Sequence, residues 1–215
     1  MITKLFILPL DLRILEASRL YEIKKGVSYP ALRDREVERM ALAIEDPHPA
    51  EQVELGFGMV DEDSYADVVN SHGHRIYADG SRIEGRVGAA LSVWKGEAET
   101  KAVKFALSPY CTVYQAELIS LQRAVTIACK SGEVKVGILS DSRSALQAVT
   151  HNSPHPLAVQ TRAALRKATL QRREISLFWI KAHAGLRGNE RVDELAKEAA
   201  LGLRRRPDYD LCPVY

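Results

Sequence analysis

The stretch Arg75-Ile76-Tyr77-Ala78-Asp79-Gly80-Ser81 reads as a β-strand in alternation. Ile76 and Ala78 fall on one face, Tyr77 and Asp79 on the other. Gly80 and Ser81 interrupt the side-chain pattern directly after the acid, and residues this small leave room for a ligand beside it. An Asp before Gly is equally an ordinary turn signal. Which reading holds depends on whether other acids reach this strand from elsewhere in the chain.

Two more strands follow, Val87 to Trp94 and Glu99 to Leu107, with Gly85 and Gly96 marking the turns. Three short strands at this spacing predict an antiparallel meander. A long helix is expected from Thr112 to Lys130, with Gly132 at its end. The next strand, Val134 to Leu139, closes on Ser140 and Asp141. Helices are expected over Ser142 to Val149 and, after Pro154 and Pro156, over Leu157 to Leu170. A last strand, Glu174 to Ile180, leads through a glycine-bearing loop into a helix from Asn189 to Leu201. Hairpin strands followed by alternating strands and helices predict a mixed sheet with helices on its faces.

Before this region the pattern is less regular. A helix is expected from Pro9 to Gly26 with Leu12, Leu15, Leu20 and Ile23 as its apolar stripe. A charged helix is expected from Asp34 to Ile44. Glu-Asp-Pro-His-Pro at residues 45–49 reads as a linker. A strand is possible from Val53 to Val60, with a loop before Arg75. At 46% hydrophobic and 27% charged, the 215 residues can bury a core and are not disordered by composition. The net charge of +2 neither demands nor excludes a nucleic-acid partner. Cys111, Cys129 and Cys212 form no C-x-x-C pair, which suits a reducing, intracellular setting. The apolar run Leu5 to Leu10 is too short to span a bilayer.

Several residues invite a chemical reading. On the long helix, Leu118, Leu121, Ala124, Val125 and Ala128 define the buried face, and Glu117 falls within that stripe. It is either a partly exposed acid stabilised by the helix N-terminus or a group neutralised by a metal ion. Asp141 can cap the helix after it, or, if its strand lies parallel beside the first, approach Asp79. Two carboxylates so placed repel unless they share a proton or hold a cation. His183 sits in a loop with Gly185 and Gly188. Asn189 can cap the last helix, and Asp193 lies in its first turns.

Taken together, residues 75–201 resemble the type 1 RNase H domain, most closely that of Pol polyproteins from non-LTR (LINE-type) retrotransposons. The segments that carry the resemblance are Tyr77-Ala-Asp-Gly-Ser81, Tyr114-Gln-Ala-Glu-Leu118, Ser140-Asp-Ser-Arg-Ser-Ala-Leu146, and Lys181-Ala-His-Ala-Gly-Leu-Arg-Gly-Asn-Glu190 through Asp193-Glu-Leu-Ala196. The resemblance implies an α/β, RNase H-like fold: a five-stranded mixed sheet, order 3-2-1-4-5, flanked by helices. It implies a division into a helical connecting extension (1–70), an RNase H domain (71–202) and a basic tail (203–215). Leu8-Pro-Leu-Asp-Leu-Arg13 and Ala17-Ser-Arg-Leu-Tyr-Glu22 look like the region connecting a polymerase to RNase H, so the chain looks like a fragment or degraded copy of a longer Pol protein. The implied activity is hydrolysis of the RNA strand of RNA–DNA hybrids, leaving 5′-phosphate and 3′-hydroxyl ends. Two Mg²⁺ ions (or Mn²⁺) about 3.5–4 Å apart would be held by Asp79, Glu117, Asp141 and Asp193. His183 would assist proton transfer or product release. Gly80, Ser81, Tyr114, Gln115, Ser142 and Asn189 are the implied hybrid contacts. The implied partners are the hybrid and a reverse transcriptase domain of the same or a related polyprotein, with no membrane, and the nucleus is favoured over the cytoplasm. The alternative is a catalytically silent hybrid-binding or connection module; retention of all four acids favours the enzyme.

The sequence departs from the family in two places. Val113 and Tyr114 stand where cellular relatives carry Asn and Gln that touch the hybrid's 2′-hydroxyls. The basic protrusion of some bacterial enzymes is absent, and Arg162, Arg166, Lys167, Arg172 and Arg173 either replace its phosphate contacts or form an ordinary solvated helix face. Arg204, Arg205 and Arg206 read as a solvated tail.

Overall fold

A computed structural model describes residues 10–25, 27, 38, 55–151, 153–202 and 206–213. Its elements in chain order are α1 (Leu10–Lys24), β1 (Phe57–Val60), α2 (Glu62–Ser71), β2 (His74–Ile83), β3 (Arg86–Lys95), β4 (Ala98–Leu107), α3 (Val113–Lys130), β5 (Lys135–Ser140), α4 (Arg143–Thr150), α5 (Pro156–Leu170), β6 (Glu174–Ile180) and α6 (Arg187–Gly202). The expected meander is β2-β3-β4, turned at Gly85 and Gly96, both with positive φ. β5 and β6 join parallel to β2, which gives the expected order of five strands.

The sheet nevertheless has six strands, in the order β1-β6-β5-β2-β3-β4. The sixth is β1, which runs parallel to β6 with Phe57 opposite Leu177. The expected loop before Arg75 is helix α2. Its start is fixed by a reciprocal cap in which Asp61 accepts from the Ser64 amide and Ser64 Oγ accepts from the Asp61 amide. Gly132 does not end α3; Ser131 does, in an extended conformation. Leu12 and Leu15, expected to face inward from α1, are exposed. The expected helix over 34–44 and linker over 45–49 lie outside the described residues, Glu38 excepted.

Alternation in β2 feeds two cores. Ile76 and Ala78 pack beneath α3, α4 and α5, against residues such as Leu118, Leu121 and Val125. Tyr77 packs on the opposite face with Leu139, Ile180 and the α6 residues Val192, Leu195 and Ala196. Each fully buried aliphatic side chain here stabilises the fold by about 2 kcal/mol. α2 completes this second core with Val68 and with Tyr65, whose hydroxyl lies 2.5 Å from that of Tyr77.

The segment expected as a free tail packs back onto the sheet. Tyr209 bridges to Leu107, the Ser108 amide donates to the Tyr209 carbonyl at 3.0 Å, and the Asp208 carboxylate accepts from the Ala106 amide at 2.9 Å. Arg206 is exposed, as expected; Arg204 and Arg205 lie outside the described residues. Two of the five basic residues proposed for phosphate contact are spent internally. Arg162 is buried and donates to the Ala148 and Ser153 carbonyls, while Arg173 donates to three carbonyls at the end of α3. Among the described residues, no helix is long and apolar enough to cross a membrane.

Candidate active site

Asp79 stands in the middle of β2. Tyr77 is in register with Leu139 of β5, so two residues further along both strands Asp79 and Asp141 come side by side. Glu117 arrives from α3, whose start is set by a second reciprocal cap. Thr112 Oγ1 accepts from the Gln115 amide at 3.1 Å, and Gln115 Oε1 accepts from the Thr112 amide at 2.9 Å. The helix can come this close to β2 because residue 80 is glycine. A β-carbon there would lie 2.7 Å from the Glu117 nitrogen. The space at Gly80 is therefore filled by α3 and is not open to a ligand.

One carboxylate oxygen each from Asp79, Glu117 and Asp141 lie within 4.8 Å of one another. The group is poorly solvated, with Asp79 7% and Glu117 8% exposed. Burial, then the Asp141 charge, pushes Asp79 up to about 7, with Asp193 adding to the effect; the Gly80 amide and Glu117 oppose it. Glu117 is raised well above the usual carboxylate range by burial and by Asp79 and Asp141. Asp141 is raised by burial, against the hydrogen bond from Asn189. One Glu117 oxygen is buried with no hydrogen-bond partner. Three crowded acids with an orphaned oxygen fit a hard divalent cation, which supplies what water and the protein do not.

Asp141 does not cap α4. Ser142 occupies the cap position without a side-chain bond, and the Asp141 carboxylate instead accepts from Asn189 Nδ2 at 3.3 Å. Asn189 is not the cap of α6 either, because that helix begins at Arg187 and buries Asn189 in its first turn. A second group brings His183, Glu190 and Asp193 within 4.8 Å. His183 is exposed and has a positive φ of 52°, and Asp193 pairs with Lys197 at 2.6 Å. Glu190 escaped the sequence reading. Its signal is the i, i+3 spacing to Asp193 on one helix face. Of the expected hybrid contacts, Ser81, Ser142 and Tyr114 remain part-exposed. Gln115 does not: it is buried, closing the cap with its oxygen and donating to the Leu211 carbonyl at 3.2 Å.

A mixed sheet with helices on both faces and acids converging from β2, α3 and the end of β5 defines an RNase H-like α/β fold. The sequence profile of the RNase H family matches residues 71–201, and the chain belongs to that family. The Pol polyprotein of ovine maedi visna related virus (strain South Africa) is 30% identical over 152 residues, covering 66% of this chain and 13% of the viral protein. This chain thus spans a small part of that relative's length. The foamy viral protease-reverse transcriptase, solved in complex with dsDNA, is 19% identical, with a TM-score of 0.51 over 63% of this chain and 98% of that one. At that identity the likeness is one of fold alone. RNase H1 from the archaeon Halobacterium salinarum NRC-1 gives a TM-score of 0.47 at 20% identity, covering 59% of this chain and 96% of that one.

Proposed function

We propose that the chain hydrolyses the RNA strand of RNA–DNA hybrids, using divalent ions held by Asp79, Glu117, Asp141 and Asp193. The observation that carries this reading is the approach of the Asp79, Glu117 and Asp141 carboxylates within 4.8 Å in a largely buried setting. Such ions, when bound, activate the attacking water and stabilise the leaving oxygen. Asp79 feels the charges of both Asp141 and Asp193, and by the family resemblance it would be the ligand shared by the ions. Asn189 holds Asp141 in orientation. The P–O3′ bond breaks, leaving a 3′-hydroxyl and a 5′-phosphate, and His183 on its exposed loop passes the proton or frees the product. Mg²⁺ suits an all-carboxylate site that keeps water and substrate oxygens as ligands.

In this reading residues 71–202 form the nuclease and residues 1–70 connect it to a reverse transcriptase domain. The motif spellings resemble those of a non-LTR retrotransposon, and action in the nucleus follows from that resemblance alone. The test is cleavage of a labelled hybrid with Mg²⁺, beside RNA and DNA duplexes and an Asp79→Asn variant. Cleavage restricted to hybrid and lost in the variant is expected. Hybrid binding without cleavage overturns the enzymatic reading.

A further inference from the structure

The segments flanking the family-matched residues meet at one buried point. Glu38, 3% exposed, donates its amide to the Cys212 carbonyl at 2.9 Å. Its carboxylate lies 2.8 Å from His155 Nε2 and accepts the Tyr209 hydroxyl. His155, also 3% exposed, caps α5 by accepting the Leu157 amide at its Nδ1. The imidazole is thereby held by a hydrogen bond at Nδ1 and by the Glu38 carboxylate beside Nε2. Its ring meets Tyr114 edge to face, with centroids 5.7 Å apart and planes at 89°.

Tyr114 also lines an open cleft with Ser144, Gln147, His151 and Ser153. The cleft and the acids draw on two of the same stretches of chain. Tyr114 is three residues before Glu117 on α3, and Ser144 is three residues after Asp141 at the start of α4. Its lining holds no Asp, Glu, Lys or Arg, and offers an aromatic ring, an imidazole, hydroxyls and an amide. That chemistry suits the sugars and bases of a nucleic-acid strand rather than its phosphates.

Taking Tyr114 as the hybrid contact that the family resemblance implies, we infer that the Glu38–His155 pair, held by Tyr209, is the positioning element that fixes the Tyr114 ring at this cleft. This rests on the hybrid-hydrolase reading above. The terminal segments thereby complete the substrate wall. A free Tyr114 would sample other rotamers and present the ring at a cost in ordering, so loss of His155 weakens binding through Tyr114.

The test uses the full chain with Tyr114→Ala, His155→Asn, the Tyr114→Ala/His155→Asn double variant and Glu38→Gln. Hybrid affinity is measured by fluorescence anisotropy in Ca²⁺, KM and kcat in Mg²⁺, and folding by circular dichroism. Expected is a rise in Kd and KM of about tenfold for Tyr114→Ala, as for loss of one base–aromatic contact. His155→Asn should raise both in the same direction, kcat should change little, and the double variant should be no worse than Tyr114→Ala alone. If His155→Asn fails to fold, Glu38→Gln carries the same comparison. Additive losses, or folded variants with wild-type KM, overturn the inference while leaving the nuclease reading intact. Failure of the wild-type protein to bind hybrid at all overturns both.

Discussion

Asp79 shows how one carboxylate links the chemistry of the site to the stability of the fold. An acid whose pKa rises on folding takes up protons as the chain folds, so the folded form is favoured at low pH. That advantage is lost as pH climbs from the ordinary 3.8 to about 7. In metal-free protein above neutral pH, the ionised carboxylate therefore destabilises the fold, on the order of a few kcal/mol. Asp79→Asn should raise the melting temperature in EDTA at pH 8, and this gain should shrink towards pH 4.5, as followed by calorimetry. An equal gain at both pH values would contradict the buried, crowded carboxylate. Mg²⁺ should raise the wild-type melting temperature and leave the variant nearly unmoved, because the cation relieves the repulsion that the substitution removes. The residue types of this site were legible in the sequence. Asn189 was misread as a cap because an Asn beside a glycine loop fits that role locally; its hydrogen bond to Asp141 joins α6 to the residue just after β5, which no local pattern connects.

At the level of elements, the site depends on how closely α3 lies on β2. The periodicity of α3 and the alternation of β2 are local properties, and both are readable in the sequence. Their separation is not, and Gly80 was read as ligand space when it is helix space. Gly80→Ala would place a methyl group 2.7 Å from the Glu117 nitrogen and 2.8 Å from Ala116 atoms, so α3 must shift outward. Overpacking of this kind costs about 1–3 kcal/mol. Because Glu117 moves with the helix, activity should fall by about 100-fold, beyond what the loss of stability explains. Initial rates at a temperature where circular dichroism shows the variant folded would check this, and a wild-type rate would refute the packing argument. The missed helix α2 has a different cause. Its cap is spelled by Asp61 and Ser64, but ten residues with only Tyr65, Val68 and Val69 as large apolar groups give a weak helical stripe.

Over the whole molecule, the folding unit extends past the family-matched residues at both ends. β1 and α2 supply Val60 and Val68 to the core shared with Tyr77, and Tyr209 covers the edge at Leu107. A protein cut to residues 71–202 should melt about 10 °C below one spanning 55–213, given about 2 kcal/mol for each buried aliphatic side chain lost. Calorimetry of the two would decide, and equal melting temperatures would make the flanking segments mere attachments. The sequence by itself determined the strand and helix order within residues 75–201, the two-faced pattern of β2, and the residue types able to hold a cation. These are period-two and period-3.6 properties, set by each residue and its near neighbours. Tertiary structure alone decided that Phe57 pairs with Leu177, that Gly80 receives a helix, that Asn189 orients Asp141, and that Glu38, His155 and Tyr209 close over one another. Each of those contacts joins residues distant in the chain, where pairing is chosen by shape and burial and leaves no repeating mark in the sequence.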